Sequence, residues 1–245
     1  MINMVSYLIR NKISLLVCDM AGTVINEKGQ IYKSLFNTLK DLNYNPSIDD
    51  MESWGGKEKR HILTQQIYKS ISRGEYVPAD FTHMVDIAEE KLIEDLKDNY
   101  FNKPGISLVD DELFNFFDCA RINGIRIVLN TGYSKEFQQE IVNHFNFDLH
   151  VDDFISSEEV KYGRPYPYMI HELMTRFDIQ NPKHVAKVGD TKNDMKEGVN
   201  ACCGINIGVL SGFENKNALF ESGADVVVNK ITDLNQEDDL PVFLL

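Results

Sequence analysis

The chain has 245 residues, of which 43% are hydrophobic and 26% are charged. This length and composition predict a folded protein with a well-buried core, and they exclude collagen-like and disordered classes. The formal net charge of −13 argues against nucleic acid and against an anionic membrane surface as partners, because both require a cationic protein surface.

The N-terminal segment does not resemble a secretory signal, because Arg10, Asn11 and Lys12 interrupt it. No apolar run in the sequence reaches the roughly 18 to 20 residues that span a bilayer. The cysteines lack the spacing of a metal site, and we interpret them as reduced, mostly buried thiols. They are Cys18, Cys119, Cys202 and Cys203. We therefore expect a cytoplasmic protein without a membrane partner.

The first predicted strand covers residues 13–18, ISLLVC, a continuous apolar run that ends at Asp19. Similar short runs recur along the chain and alternate with helical patterns. The other predicted strands cover residues 125–129, 185–188, 205–209 and 225–228, and the clearest helices cover residues 134–145, 167–177 and 194–202. This alternation predicts an α/β fold with a doubly wound, Rossmann-like parallel sheet and helices on both faces.

Between the first two strands lies a long stretch with helical patterns only, at residues 34–42, 58–72 and 81–100. A stretch of about seventy residues is too long for a simple crossover connection. We therefore predict an inserted α-helical cap domain at residues 31–102. The Rossmann-like catalytic core is then formed by residues 1–30 and 103–245.

Several polar residues follow the predicted strands or lie near their carboxyl ends, where open parallel sheets bind their ligands. They are Asp19, Thr131, Arg164 and Asp190. The carboxylate of Asp19 can attack phosphorus and form an acyl-phosphate, which divides one difficult displacement into two easier steps. Gly22 lets the backbone fold closely around a phosphate, whose oxygens can accept from exposed amides. By itself this segment is equally compatible with an aspartate that only forms a turn.

The segment 187–194, KVGDTKND, places Asp190 and Asp194 four residues apart, directly after a predicted strand. Asp190 can ligate a divalent cation at the strand end, and Asp194 can hold a metal-bound water or orient a ligand. Hard oxygen ligands of this kind predict Mg²⁺. The alternative is that Asp190 or Asn193 only caps the following helix.

Two further residues suit the phosphoryl group itself. Thr131 precedes Gly132, so that its hydroxyl and the nearby amides can donate to a phosphoryl oxygen. Arg164, in the segment GRPYP at 163–167, supplies a fixed positive charge for the transition state. A surface arginine ahead of a helix is the alternative for Arg164.

These four segments, in this order, resemble the four motifs of the haloacid dehalogenase superfamily, and the predicted cap lies where its C1-type members carry theirs. The resemblance covers about residues 13–229. Within the superfamily the chain is most similar to phosphonoacetaldehyde hydrolase and its phosphonatase-like relatives. The strings that carry this similarity are DMAGT at 19–23, TGYS at 131–134, GRP at 163–165 with PYM at 167–169, and KVGDTKNDMKEGVN at 187–200.

By this resemblance Asp19 is the nucleophile, and Thr131 and Arg164 are catalytic. The resemblance also implies that Mg²⁺ is held by Asp19, the backbone carbonyl of Ala21 and Asp190, with Asp194 in support. The matching loops imply substrate-binding residues at Gly22, Thr23 and Gly132. A homodimer that forms through the cap is a further implication.

Ala21 departs from ordinary phosphatases of the superfamily, which carry a second aspartate at this position as acid and base. In phosphonoacetaldehyde hydrolase a lysine of the cap forms a Schiff base with the aldehyde, so that the carbon–phosphorus bond can break. Such a lysine requires a lowered pKa. The spacing from Gly56 favours Lys59 for this role, with Lys57 in reserve, and Arg60 can lower the pKa of the amine.

The cap loop also departs from that hydrolase. Gly55 stands where the family has Met-Gly, and Ile62 stands where the family has a histidine three residues beyond its lysine. His61 is a substitute in a shifted register. Trp54 and Tyr133 are candidates for contact with the substrate, with packing as the alternative for both.

Three functions follow from these observations. The first is a phosphonatase-like hydrolase that acts on a small phosphonate or phosphorylated metabolite. The second is a phosphatase or phosphomutase for a small phosphate ester such as a sugar phosphate. The third is a non-catalytic protein that binds a phosphate ligand on the same fold.

Overall fold

The computed structural model describes residues 4–51, 54–71, 78–102 and 105–235. Within these residues the strands are β1 (Leu15–Asp19), β2 (Ile25–Asn26), β3 (Ser107–Leu108), β4 (Arg126–Thr131), β5 (Asp153–Ser156), β6 (Val185–Gly189), β7 (Ile205–Val209) and β8 (Val226–Val228). The α-helices are α1 (Met4–Arg10), α2 (Gln30–Asp41), α3 (Ile48–Met51), α4 (Lys59–Ile71), α5 (Phe81–Phe101), α6 (Leu113–Ile122), α7 (Lys135–Phe145), α8 (Tyr168–Arg176), α9 (Lys192–Asn200) and α10 (Lys216–Glu221).

Six of these strands form one sheet in the order β5-β4-β1-β6-β7-β8, and all of its strand pairs are parallel. It contains every strand that the sequence pattern predicts. β1 lies in the middle, where its pairing aligns Asp19 with Asn130 of β4 and Cys18 with Val188 of β6. The carboxyl ends of the three central strands therefore meet at one edge of the sheet.

Successive side chains of β1 point to opposite faces of the sheet, as a pleated strand requires. Leu16 and Cys18 belong to a hydrophobic cluster that includes residues of α6 and α7, whereas Leu15 and Val17 belong to a second cluster that includes residues of α8. Helices thus cover both faces, which explains why β1 is apolar throughout. The predicted doubly wound, Rossmann-like α/β fold is confirmed.

Helices α2, α4 and α5 occupy the stretch between β2 and β3, where the sequence predicts helices. Both α2 and α4 pack against α5, and the buried apolar residues include Leu35, Leu63 and Leu92. β2 pairs with β3 in antiparallel orientation, so that the two connections of the helical stretch run side by side. The division into a core and a cap at residues 31–102 stays a prediction. None of the described helices has the length and apolar character that a membrane span requires.

Candidate active site

Predicted site residues from separate segments meet at the carboxyl edge of the central strands. Asp19 ends β1, Thr131 ends β4, and Asp190 directly follows β6. All three are at most 5% exposed, as is Arg164 from the loop ahead of α8. The structure therefore brings together the residues that the four sequence segments contribute.

Three carboxylates form a cluster at this edge. Asp19, Asp190 and Asp194 each offer one oxygen, and these atoms lie within 4.8 Å of one another. Burial raises the pKa of Asp190 well above its ordinary value, and the neighbouring carboxylates of Asp19 and Asp194 raise it further. Burial also raises the pKa of Asp19, against the opposing charge of Arg164. Such a cluster offers the hard oxygen donors that Mg²⁺ prefers.

The turn after β1 fits closely against Asp190. Gly22 has a φ of +87°, and a Cβ at this position would contact the Asp190 carboxylate and lie 2.9 Å from the Cα of Gly212. The amide of Phe213 donates to Asp190 Oδ2 at 2.8 Å, and the hydroxyl of Thr23 donates to Oδ1 at 3.5 Å. Gly22 and Thr23 therefore shape the side of the site on which Asp190 lies.

Arg164 is surrounded by acceptors of the protein. Its Nη1 lies 2.6 Å from Asp19 Oδ1 and 3.0 Å from Asp194 Oδ1. Its Nε lies 3.2 Å from Glu197 Oε2, and its Nη2 donates to the main-chain and side-chain oxygens of Asn130 at 2.8 and 2.7 Å. Four of these contacts are hydrogen bonds, and the contact with Asp194 is an ion pair.

A second cation, Lys187, is fully buried in β6. Its Nζ lies 2.7 Å from Asn130 Oδ1, 2.9 Å from Asp194 Oδ1 and 3.3 Å from Glu197 Oε2. Burial alone would raise the pKa of Asp194, but the charges of Arg164 and Lys187 reverse this effect and hold the pKa below its ordinary value. Asp194 is therefore the carboxylate of the cluster that stays ionised most readily.

The buried charges of this site do not cancel. Among the described side chains that are at most 5% exposed, four carboxylates face two cations: Asp19, Asp190, Asp194 and Glu197 against Arg164 and Lys187. Buried charge without a partner is strongly unfavourable. The raised pKa of Asp190 favours a proton on this carboxylate, which relieves part of the excess. A divalent cation would replace that proton and stabilise the ionised carboxylate, so the donor set fits Mg²⁺.

The loop that precedes α4 contacts the site at several points. The amide of Lys59 donates to Gly132 O at 3.3 Å, and the side-chain amide of Asn193 donates to Gly55 O. A Cβ on Gly132 would lie only 2.8 Å from the carbonyl oxygen of Lys57. Glycine at this position thus permits the close approach of the loop.

Lys59 is the first residue of α4. Its Nζ donates to Lys57 O at 3.0 Å and lies 5.2 Å from the ring centroid of Tyr133. Burial lowers the pKa of the amine to about 8, with Asp19 opposing the shift and Arg164 adding to it. A neutral fraction of the amine is therefore available near neutral pH, as a Schiff-base role requires.

The expectation that Arg60 lowers the pKa of Lys59 is wrong, because its side chain points away from that amine. It pairs with Asp86 at 2.5 Å and with Glu89 of α5, so its charge is engaged by carboxylates of the same helical stretch. The arginine that lowers the pKa of Lys59 is Arg164. His61, on the next position of α4, is exposed.

Trp54 and Tyr133 are both 2% exposed. The hydroxyls of Tyr133 and Tyr100 form a hydrogen bond of 2.6 Å, which connects the loop after β4 to α5. The indole N–H of Trp54 is buried without a hydrogen-bond partner in the part of the chain that the structure describes. Contact of either side chain with a substrate stays a prediction.

The haloacid dehalogenase-like hydrolase family model matches residues 13–201. The chain belongs to this family. The match includes Asp19, the Arg164 loop and the acidic pair Asp190 and Asp194, which form the cluster described above.

Two curated relatives of this hydrolase carry the name phosphonoacetaldehyde hydrolase. The protein from Parabacteroides distasonis is 27% identical over 212 residues, which cover 82% of this chain and 77% of the relative. The protein from Latilactobacillus sakei is 27% identical over 242 residues, which cover 94% of this chain and 85% of the relative. Family and relatives together identify the chain as a phosphohydrolase.

Solved structures agree with the fold. A phosphonoacetaldehyde hydrolase-like protein from Oleispira antarctica superposes with a TM-score of 0.73 at 17% identity, covering 94% of this chain and 96% of that protein. A β-phosphoglucomutase from Clostridium difficile superposes with a TM-score of 0.70 at 16% identity, covering 89% and 91% of the two chains. At these identities the likeness concerns the fold alone.

Three buried residues of this hydrolase were not identified as site residues by the sequence motifs: Asn130, Lys187 and Glu197. Lys187 interrupts an otherwise apolar strand, and a lysine buried in a parallel sheet needs an acidic partner. Glu197 follows Asp194 by three residues, which places both side chains on one face of α9. These two signals are readable in the sequence, whereas an asparagine at a strand end gives no indication of its partners.

Proposed function

We propose that this hydrolase depends on Mg²⁺ and acts through an aspartyl-phosphate on Asp19. Its substrate is a small phosphonate or phosphorylated metabolite. The observation that carries the proposal is the position of Asp19, which ends the central strand inside a carboxylate cluster and contacts Arg164 at 2.6 Å. A nucleophile must be held in this way to attack phosphorus along a defined line.

Mg²⁺ would be held by Asp19, the backbone carbonyl of Ala21 and Asp190, with Asp194 in support. The balance of buried charge supports this assignment. When bound, the cation neutralises charge on the phosphoryl oxygens during the displacement. Thr131 and the amides of the adjacent turns would donate to the same oxygens.

Within this proposal we favour a phosphonatase-like reaction. Ala21 replaces the aspartate that acts as acid and base in ordinary phosphatases, and Lys59 can take over activation of the leaving group. The Lys59 amine would condense with an aldehyde such as phosphonoacetaldehyde and release water. Asp19 would then attack phosphorus while the electron pair of the carbon–phosphorus bond moves into the protonated imine. Protonation and hydrolysis of the resulting enamine would release the aldehyde product and free Lys59, and water would hydrolyse the aspartyl-phosphate to phosphate.

Two observations support Lys59 in this role. Its pKa is lowered to about 8, and its backbone amide donates to Gly132 O at 3.3 Å, next to Thr131. The names of the curated relatives support the same substrate class. We also propose that residues 31–102 act as the cap that covers this site, and we keep the cytoplasmic location and the homodimer as parts of the proposal.

Replacement of the nucleophile tests the proposal. Asp19→Asn should abolish phosphate release and the Mg²⁺-dependent binding of beryllium fluoride, which mimics an aspartyl-phosphate. The control is Asp148→Asn, because Asp148 is an exposed aspartate of the same protein. Full activity of Asp19→Asn would remove Asp19 from the mechanism.

A phosphatase or phosphomutase for a sugar phosphate is the second candidate. Membership in the haloacid dehalogenase-like hydrolase family is compatible with this candidate, whereas Ala21 in place of an acid–base aspartate speaks against it. A panel of phosphonates and sugar phosphates, assayed for inorganic phosphate and for isomerised sugar phosphate with and without Mg²⁺, separates the two candidates.

A further inference from the structure

Three buried side chains next to the nucleophile have no part in the proposed reaction. Asn130 Oδ1 accepts from Arg164 Nη2 and from Lys187 Nζ, each at 2.7 Å. Asn130 Nδ2 donates to Glu197 Oε2 at 2.9 Å. Glu197 itself is fully buried, and the same Oε2 lies 3.2 Å from Arg164 Nε. A buried polar network thus adjoins Asp19.

Both cations of this network, Arg164 and Lys187, are surrounded by acceptor atoms of the protein. Arg164 donates four hydrogen bonds, to Asp19, Glu197 and both oxygens of Asn130, and Lys187 donates one to Asn130. Both cations also form ion pairs with Asp194 Oδ1, at 3.0 and 2.9 Å. Their charge acts on the carboxylates of the site, and the geometry of those carboxylates depends on how the cations are held.

Glu197 contacts the guanidinium at a different nitrogen from the nucleophile. Arg164 Nη1 contacts Asp19 Oδ1 at 2.6 Å, whereas Nε contacts Glu197 Oε2 at 3.2 Å. Because the guanidinium is rigid and planar, a contact at Nε fixes the direction of the N–H bonds at Nη1. The position of Asp19 Oδ1 is therefore set in part by a residue that it does not touch.

We propose that Glu197 is a positioning residue for the nucleophile, acting through Arg164. Asn130 and Lys187 hold the Glu197 carboxylate, Glu197 orients the guanidinium, and the guanidinium holds one oxygen of Asp19. The second oxygen of Asp19 is left for the attack on phosphorus. This inference rests on the proposed function, since it assigns a task within the same reaction.

Glu197→Gln tests the inference, because glutamine keeps the shape of the side chain and removes its charge. Arg164 and Lys187 then face a neutral amide. The charged carboxylate of Asp194 attracts the guanidinium more strongly than this amide does, so the guanidinium should shift toward Asp194. We expect kcat to fall about 100-fold, as for a misplacement near 1 Å, while KM changes by less than about threefold. Beryllium fluoride should bind at least about tenfold more weakly in the presence of Mg²⁺.

The matched control is Glu172→Gln. Glu172 makes the same kind of contact on the exposed part of α8, where Arg176 Nε lies 3.1 Å from its carboxylate. This variant should retain the kcat, the KM and the beryllium fluoride affinity of the wild type. If Glu172→Gln lost kcat and beryllium fluoride affinity to the same extent as Glu197→Gln, the inference would be overturned.

A purely structural role for Glu197 predicts a different outcome in a double variant. Lys187→Met/Glu197→Gln removes both charges of the pair, which relieves the uncompensated buried charge. If Glu197 only neutralises Lys187, this double variant regains kcat and beryllium fluoride affinity together with thermal stability. If Glu197 positions Arg164, both stay low although stability returns. Recovery of both would refute the inference.

The failure of the inference can be told apart from the failure of the proposed function. Wild-type protein that binds no beryllium fluoride would contradict the aspartyl-phosphate and the inference with it. Wild-type binding together with unchanged binding in Glu197→Gln would contradict the inference alone. Borohydride should still trap an adduct of Lys59 with phosphonoacetaldehyde in Glu197→Gln, since Lys59 reacts before the nucleophile attacks.

Discussion

Lys59 combines a reactive position with a pKa of about 8. The main cause is burial of the amine, which penalises the charged form, and Arg164 acts in the same direction. At neutral pH most of the amine is still protonated and lies 5.2 Å from the ring centroid of Tyr133, where the ring face favours a cation. A protonated imine formed at the same nitrogen would keep this favourable contact.

The lowered pKa of Lys59 predicts that the rate of Schiff-base formation depends on pH. Only the neutral amine attacks an aldehyde, and its fraction rises as pH increases toward the pKa of Lys59. We therefore expect borohydride trapping with phosphonoacetaldehyde to accelerate by about tenfold per unit well below pH 8 and to level off above it. The rate of adduct formation measured by mass spectrometry checks this.

Two lysine variants complete this experiment. Lys59→Ala should abolish the adduct, whereas Lys57→Ala should retain it, because Lys57 contributes its carbonyl oxygen to the Lys59 amine. Loss of the adduct in Lys57→Ala with retention in Lys59→Ala would transfer the role to Lys57. A trapping rate that is independent of pH would contradict the lowered pKa.

At the scale of residues, the sequence predicted those site positions that lie at strand ends. Asp19 and Asp190 could be placed together because neighbouring parallel strands end at the same edge. The approach of Glu197 to Arg164 could not be predicted, since it depends on how α9 packs beside the loop of Arg164. Likewise, the engagement of Arg60 by α5 is a contact between helices that no local pattern specifies.

Among the elements, the loop before α4 is held against the site by contacts with α9 and with the turn after β4. Asn193 in the first turn of α9 donates to Gly55 O, and Gly132 after β4 accepts from the amide of Lys59. These polar contacts add little net free energy each, on the order of 1 kcal/mol. If residues 31–102 act as the proposed cap, docking of the loop would be easily reversed, as entry and exit of a substrate require.

Asn193→Ala tests this docking. Removal of the side-chain contact should favour the undocked loop and lower kcat/KM about fivefold, the effect of roughly 1 kcal/mol. The control is Asn200→Ala on the same helix, because Asn200 donates to Pro165 O at 2.9 Å and does not contact the loop. Equal kcat/KM values for the two variants would show that the Asn193 contact has no role in docking.

The predictability of the elements follows their burial. β1, β4, β6 and β7 are nearly or fully buried and give runs that are largely apolar. The edge strand β5 begins with half-exposed Asp153 and Phe154, so its pattern resembles that of a loop. Helix α6 begins without a side-chain cap at Glu112, which removes the local signal by which its start could be recognised.

For the molecule as a whole, the proposed Mg²⁺ site would couple folding to cation binding. A ligand that binds only the folded state stabilises it by mass action, by about 2.7 kcal/mol at a hundredfold excess over its Kd. For a protein of this size, each kcal/mol added to the free energy of unfolding raises Tm by about 2–4 °C. Saturating Mg²⁺ should therefore raise Tm by roughly 5–10 °C relative to protein in EDTA.

Asp190→Asn serves as the control in the same thermal measurement. It removes one ligand and one repelling charge, so the rise in Tm with Mg²⁺ should be largely lost. In EDTA this variant should be at least as stable as the wild type, because the pKa of Asp190 is raised by burial and by its acidic neighbours. A wild-type Tm that does not respond to Mg²⁺ would contradict the cation assignment.

The central position of β1 also has a consequence for biosynthesis. Thr23 and Asp190 meet although they are 167 positions apart, and β1 pairs with β6 on one side. A nascent chain leaving the ribosome thus exposes an unpaired apolar edge of β1 until most of the polypeptide has been translated. A premature stop codon ahead of β6 would produce an aggregation-prone fragment and no partial enzyme, and chaperones would have to shield that edge during elongation.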